Sequence, residues 1–348
     1  MVKVGIIGGA GYTAGELIRI LLNHPSAELC FVQSASSAGK CLWEVHEGLY
    51  GETDLRFCES FDLAAVDVLF LCGGHGMSAS FWEANPRPAG LKVIDLAQDY
   101  RDESNGYVYG LPELKRDAIR GAVSIANPGC FATAIQLALL PLAAAGLLKS
   151  EVSVTAITGS TGAGVKPGAT THFSWRNDNV SAYKIFEHQH LAEIRRTLAG
   201  LQQAACYPES SSCHPESSSC HPEACPEPVE GRSEGSINFI PLRGGFARGI
   251  FAAVHTDCPL DEAAARKLYE DFYAGAAFTF VAPGPVDLKQ VTGTNKCLLQ
   301  LEKHGDKLVV CSVIDNLLKG ASGQAVQNMN LMCGLPEDAG LHLKATAF

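Results

Sequence analysis

The chain lacks any apolar run approaching the roughly 20 residues that a transmembrane helix needs, so a membrane span is not expected. It also lacks a long run of Lys or Arg, and its net charge is −10. Nucleic acid is therefore excluded as the main partner. A secretory leader is missing as well: Met1-Val2-Lys3-Val4-Gly5-Ile6-Ile7-Gly8 passes directly into a strand and a glycine turn, and a cytoplasmic location is the expectation. Cysteine is not scarce, but a count of 13 is odd and the chain is long. Cys30, Cys72, Cys297 and Cys311 lie in or beside apolar strand-like runs and read as reduced core thiols.

What is present suffices for two domains with full cores: 348 residues, 47% of them hydrophobic. Near-continuous apolar strands are expected at 2–7, 28–33, 66–71, 91–94 and 123–126, with a helix over 12–23. Strands of that kind separated by helices predict an α/β, Rossmann-type, doubly wound parallel sheet. After Cys130 the pattern changes. Runs at 152–157, 249–255, 297–301 and 308–314 include several that alternate apolar and polar residues, and helices fit 191–201 and 261–273. This half predicts an α+β substrate domain with a mainly antiparallel sheet. The stretch 321–333 returns to helical spacing.

One segment stands apart. Pro-Glu-Ser-Ser-Ser-Cys recurs with a period of seven, ending at Cys213 and Cys220, and a shortened unit ends at Cys225. Proline in every unit forbids a coiled coil, and the polar composition cannot build a core, so 204–235 reads as a low-complexity disordered insertion. Cys213, His214, Cys220, His221 and Cys225 match no standard zinc spacing. No metal is expected.

The most informative tetrapeptide is Asn127-Pro128-Gly129-Cys130, which puts a cysteine at the start of an apolar helix pattern. Unpaired N–H groups and the positive helix end favour the thiolate there, and the thiolate is the nucleophile. The plain alternative is a buried core thiol. At the N-terminus, Gly8-Gly9-Ala10-Gly11-Tyr12-Thr13-Ala14 follows a strand and opens a helix, and it fits the dinucleotide fingerprint G-x-G-x-x-G/A. The second strand runs into Ser34, Ser36 and Lys40 with no acid to hold a ribose 2′-OH; hydroxyls and a lysine suit a 2′-phosphate, which favours NADP. His75, in Cys72-Gly73-Gly74-His75-Gly76, stands where a loop would border the cofactor crevice, and equally reads as a loop residue without a role. Gly159–Lys166 could present N–H donors and a lysine to an anion. His188 and His190 fit acid/base work better than metal binding.

Taken together, these pieces resemble the N-acetyl-gamma-glutamyl-phosphate reductases, within the aspartate-semialdehyde dehydrogenase superfamily. The matching segments are Gly8–Leu17, Asp95–Arg101, Tyr109–Glu113, Asn127–Cys130, Gly162–Lys166, His188–Ile194, Arg248-Gly249 and Asp315–Gly334. The resemblance implies NADPH-dependent reduction of an N-acetylglutamyl 5-phosphate to the 5-semialdehyde in arginine biosynthesis, through a Cys130 thioester. It puts the acid/base at one of His188 and His190, substrate anions at Arg101 and Lys166, and Asn316 beside the cofactor. It further implies a discontinuous NADP domain (1–129 with 315–348), a catalytic domain (130–314) and a homodimer or homotetramer. Phe131 replaces a tyrosine common in the family, and the proline often preceding the His75 position is absent. The alternatives are a related reductase of N-succinylglutamyl, aspartyl or aminoadipyl phosphate, or a non-catalytic NADP-binding protein.

Overall fold

A computed structural model describes residues 1–206 and 236–346. The seven-residue repeat, with Cys213, His214, Cys220, His221 and Cys225, lies outside the described residues. Two seven-stranded sheets organise the chain. The first contains β1 (Val2–Ile7), β2 (Ala27–Gln33), β3 (Phe57–Cys58), β4 (Val68–Leu71), β5 (Lys92–Asp95), β6 (Val108–Tyr109) and β7 (Ser124–Ala126). Its order is β3-β2-β1-β4-β5-β7-β6, and every pairing is parallel. The residues of β4 and β7 are all buried, which explains their unbroken apolar character: a parallel sheet is covered on both faces. Its helices are α1 (Tyr12–Leu21), α2 (Ser78–Ala84) and α3 (Pro112–Gly121).

α4 (Cys130–Ala144) leads from the first sheet to the second. Thirteen of its residues, from Phe131 to Ala143, are buried, as expected of a helix that is apolar all round. It packs on α6 (His190–Cys206) and on the second sheet, after β8 (Val152–Thr158), the short α5 (Phe173–Arg176) and β9 (Ser181–Ala182). That sheet is completed by β10 (Ile237–Arg243), β11 (Ile250–Asp257), β12 (Thr279–Val281), β13 (Cys297–His304) and β14 (Lys307–Ile314), with α7 (Glu262–Tyr273) alongside. Its order is β12-β13-β14-β11-β8-β10-β9. The long central pairings β8–β11, β11–β14 and β13–β14 are antiparallel, while β8–β10 and β12–β13 are parallel. Alternating burial along β8 and β11 matches a sheet with one well-covered face.

The sequence pattern did not announce β10. Pro241 interrupts it, and proline belongs at sheet margins. Here only the two-residue β9 lies outside β10, and the carbonyl of Pro241 accepts from the Tyr183 N–H at 3.1 Å. The helix expected at 191–201 extends to Cys206, into the span read as insertion. After a π-helical turn at Leu318–Ser322, α8 (Gly323–Met332) is buried along its whole length and packs on α1, α3 and β5.

Candidate active site

A cleft of about 750 Å³ opens where the carboxyl ends of β1, β4, β5 and β7 face the second sheet. On one side stand Gly11, Tyr12, Thr13 and His75; on the other, Cys130, His188, His190 and Arg243.

The nucleotide side follows from the chain's first turn. Gly8 has φ +81°, and a side chain there would collide with the Cys72 backbone at 2.9 Å, so only glycine lets the loop close on β4. The N–H groups of Gly8 and Gly9 both donate to the Gln33 carbonyl, at 3.1 and 2.8 Å. This ties the loop to the end of β2. Gly11 is the N-cap of α1 and provides no side-chain cap, leaving first-turn donors of α1 free of one. A Cβ on Gly11 would meet nothing within 4 Å. An uncapped helix start beside open space fits a pyrophosphate. Ser34 is buried with its Oγ 3.4 Å from the exposed Ser36 hydroxyl, and Lys40 is exposed. These three sit past the end of β2, outside the cleft lining itself. His75 lines the cleft and accepts at Nδ1 from the Gln98 N–H, 3.2 Å away.

On the other side, β7 delivers Asn127 into the turn that ends at Cys130. Gly129 caps α4 without a side chain, so the helix's first donors are not blocked. The helix end does not act on the Cys130 sulfur alone. Burial pushes the Cys130 thiol up to about 11, and the Arg101 charge and the Phe131 N–H pull it back only in part. Desolvation therefore works against the helix end at this half-buried sulfur.

His190 packs on this turn so closely that a Cβ on Gly129 would lie 2.3 Å from its Nε2. Burial, reinforced by the Arg101 charge, holds its imidazole well below 6.5, so it is neutral, and its buried Nδ1 has no hydrogen-bond partner. His188 is lowered to about 4, again chiefly by burial. Its Nδ1 accepts from the His190 N–H at 3.2 Å, and its ring meets the His190 ring edge-on at 4.6 Å.

Glu193 was missed by the sequence reading, although its i+3 spacing from His190 puts both on one face of α6. Its carboxylate receives the Arg101 guanidinium at 3.1 Å, the Tyr109 hydroxyl at 2.6 Å and the Gly129 N–H at 3.1 Å. Arg101 also donates to the Asn127 and Leu96 carbonyls, at 2.9 and 3.1 Å. The residue expected to receive substrate anions lines the cleft and is already paired with Glu193, and its observed contacts brace the Asn127–Cys130 turn.

Asn316 likewise spends its amide on the protein, accepting from the Gly249 N–H at 2.7 Å and donating to the Thr161 hydroxyl at 3.0 Å. It steadies the glycine loop while still lining the cleft. Lys166 is exposed, next to the cleft-lining Val165. Tyr183 and Arg243 also line the cleft and were not foreseen, since neither belongs to a recognisable motif. Among the described residues, no three His, Cys, Asp or Glu side chains group to hold a metal, and no helix is long and apolar enough to cross a membrane.

Comparison with known proteins agrees with this geometry. Residues 3–122 match the semialdehyde dehydrogenase NAD binding domain, and residues 130–209 and 225–316 match the semialdehyde dehydrogenase dimerisation domain. The N-acetyl-gamma-glutamyl-phosphate reductase of Parabacteroides distasonis is 54% identical, with 100% of each chain covered. That of Azobacteroides pseudotrichonymphae is 55% identical, again over the full length of both. The chain belongs to the N-acetyl-gamma-glutamyl-phosphate reductase family. For this reductase, solved structures show the same fold at low identity. Aspartate semialdehyde dehydrogenase II of Vibrio cholerae superposes with a TM-score of 0.69 at 19% identity, covering 96% of this chain and 98% of that one. The NADP-bound aspartate semialdehyde dehydrogenase of Candida albicans gives 0.63 at 15%, covering 96% and 98%.

Proposed function

We propose that this chain reduces N-acetyl-gamma-glutamyl phosphate to N-acetylglutamate 5-semialdehyde and phosphate, with NADPH, in arginine biosynthesis. The observation that carries the reading is the meeting, in one cleft, of the Cys130 turn, the neutral His190 and the uncapped nucleotide loop. Gly8, Gly9, Ala10, Gly11, Tyr12 and Thr13 would hold the pyrophosphate, and Ser34, Ser36 and Lys40 the ribose 2′-phosphate. His75 stands at the rim of the same crevice.

In this reading His190 is the acid/base, because it packs on the turn that carries the nucleophile. His188 orients it through the Nδ1 bond to its N–H. His190 takes the proton of the Cys130 thiol, the sulfur attacks the acyl carbon, and phosphate leaves. A cysteine held near 11 needs such a base at neutral pH. The first-turn N–H groups of α4, left without a side-chain cap, would serve the developing oxyanion. When bound, NADPH would supply a hydride to the acyl carbon held on Cys130 as a thioester. The His190 imidazolium then assists collapse to aldehyde and thiol. Lys166, on the exposed rim, would attract the departing phosphate.

We assign residues 1–129 with 315–348 to the nucleotide domain and 130–314 to the catalytic domain, supported by the packing of α8 on α1, α3 and β5. A homodimer or homotetramer is supported by the match to a dimerisation domain and by the exposed Phe173, Trp175, Ile185 and Phe186. Sedimentation at equilibrium would read the assembly. A biosynthetic reductase with nine free cysteines among its described residues suits the cytoplasm.

The test is phosphate- and NADP-dependent oxidation of N-acetylglutamate 5-semialdehyde. Cys130→Ser should lose at least about a thousandfold in kcat while still binding NADPH. Turnover near the wild-type rate would remove the covalent route.

A further inference from the structure

Three arginines stand at or beside the cleft, and two are spoken for. Arg101 is paired with Glu193. Arg248 is paired with Asp315 and with Glu16. Arg243 has no ion-pair partner among the described residues, and its buried Nε makes no hydrogen bond. Its guanidinium lies over the Tyr183 ring, 4.6 Å from the centroid. Stacking of this kind supports the planar group by its face and leaves its N–H edges to receive a planar anion with two parallel bonds.

The mounting is rigid. Arg243 closes β10, pairing with Ser181 on one side and Thr158 on the other. Its carbonyl accepts from the buried Arg176 guanidinium at 2.6 Å, and Arg176 also reaches the Thr170 and Asn179 carbonyls and the Ser181 hydroxyl. A clamped backbone and a stacked side chain cost little further ordering when a ligand arrives.

Of the substrate's two anionic groups the carboxylate is planar and the phosphoryl tetrahedral, so the stacked, fork-shaped edge of Arg243 suits the carboxylate. Arg243, Tyr183 and His188 line the same cleft as Cys130. Resting on the functional reading above, we infer that Arg243 is the specificity residue that grips the α-carboxylate of the acylated glutamyl substrate, with Tyr183 as its platform.

The experiment compares wild type, Arg243→Gln and Arg243→Lys in the semialdehyde-oxidising direction, using N-acetylglutamate 5-semialdehyde and its α-carboxamide analogue. Arg243→Gln should raise KM for the semialdehyde about 100-fold, leave KM for NADP and phosphate unchanged, and be partly rescued by lysine. The carboxamide should be a poor substrate for wild type and no poorer for Arg243→Gln, because the contact is already gone. Three outcomes overturn the inference: a semialdehyde KM within threefold of wild type, a rise confined to the phosphate KM, or a carboxamide penalised in full by both changes. Wild-type protein that binds NADP but leaves the semialdehyde untouched would instead overturn the functional reading on which the inference rests.

Discussion

Gly129→Ala adds one carbon between the proposed nucleophile and its base. Gly129 has φ −71° and ψ 153°, a backbone conformation open to any residue, so alanine creates no strain in the turn itself. Its Cβ would stand 2.3 Å from His190 Nε2 and 2.6 Å from Cδ2 and Cε1. Ordinary contact begins near 3.4 Å, so the imidazole must retreat by about 1 Å. Misplacing a reacting group by about 1 Å costs on the order of 10²-fold in rate, or about 2.7 kcal/mol. The expected result is therefore a kcat/KM for semialdehyde oxidation reduced about 100-fold, with NADP affinity preserved and a stability loss within the roughly 1–3 kcal/mol of an overpacked site. A folded Gly129→Ala enzyme within threefold of wild-type kcat/KM would refute the pairing of His190 with Cys130.

Glu193→Ala strips the counter-charge from Arg101, only 8% exposed, and should cost roughly 3–5 kcal/mol in urea unfolding; a loss under about 1 kcal/mol would show the pair to be incidental. Both site histidines titrate lower in the folded chain than the 6.5 of a free imidazole, His188 at about 4 and His190 well below 6.5. As pH falls, the unfolded chain takes up those protons first, so their contribution is intact above pH 6.5 and declines toward pH 4. His188→Gln should flatten part of that decline in Tm, and an unchanged slope would contradict the buried-neutral state. Lys40→Ala should narrow the preference for NADPH over NADH, read as the ratio of the two KM values; no change would move the 2′-phosphate elsewhere.

Much of the first sheet could be read from composition alone. Strands buried on both faces carry nearly continuous apolar runs, and glycine loops punctuate them, so β1, β2, β4, β5 and β7 lay close to their expected bounds. β3, β6 and β9 were missed because two residues carry no periodicity. β10 was missed because proline is a strand-breaking signal, which sheet position overrode. The Asn127–Cys130 turn was legible because Pro-Gly before an apolar run marks a helix start. Glu193 was within reach through its helical spacing from His190. Arg243 was not, because its meaning depends on Tyr183 lying beneath it.

The order of residues alone determined a glycine loop at a helix start, a cysteine at another helix start, and the absence of an acid after β2, since each is a local property of neighbouring positions. Only the tertiary structure decided that burial works against the helix end at the Cys130 thiol and that His190 packs on its turn. It also decided that Arg101 is already neutralised by Glu193 while Arg243 is left with an open edge. Those outcomes depend on desolvation and on partners far apart in the chain, and neither is written in any local stretch of sequence.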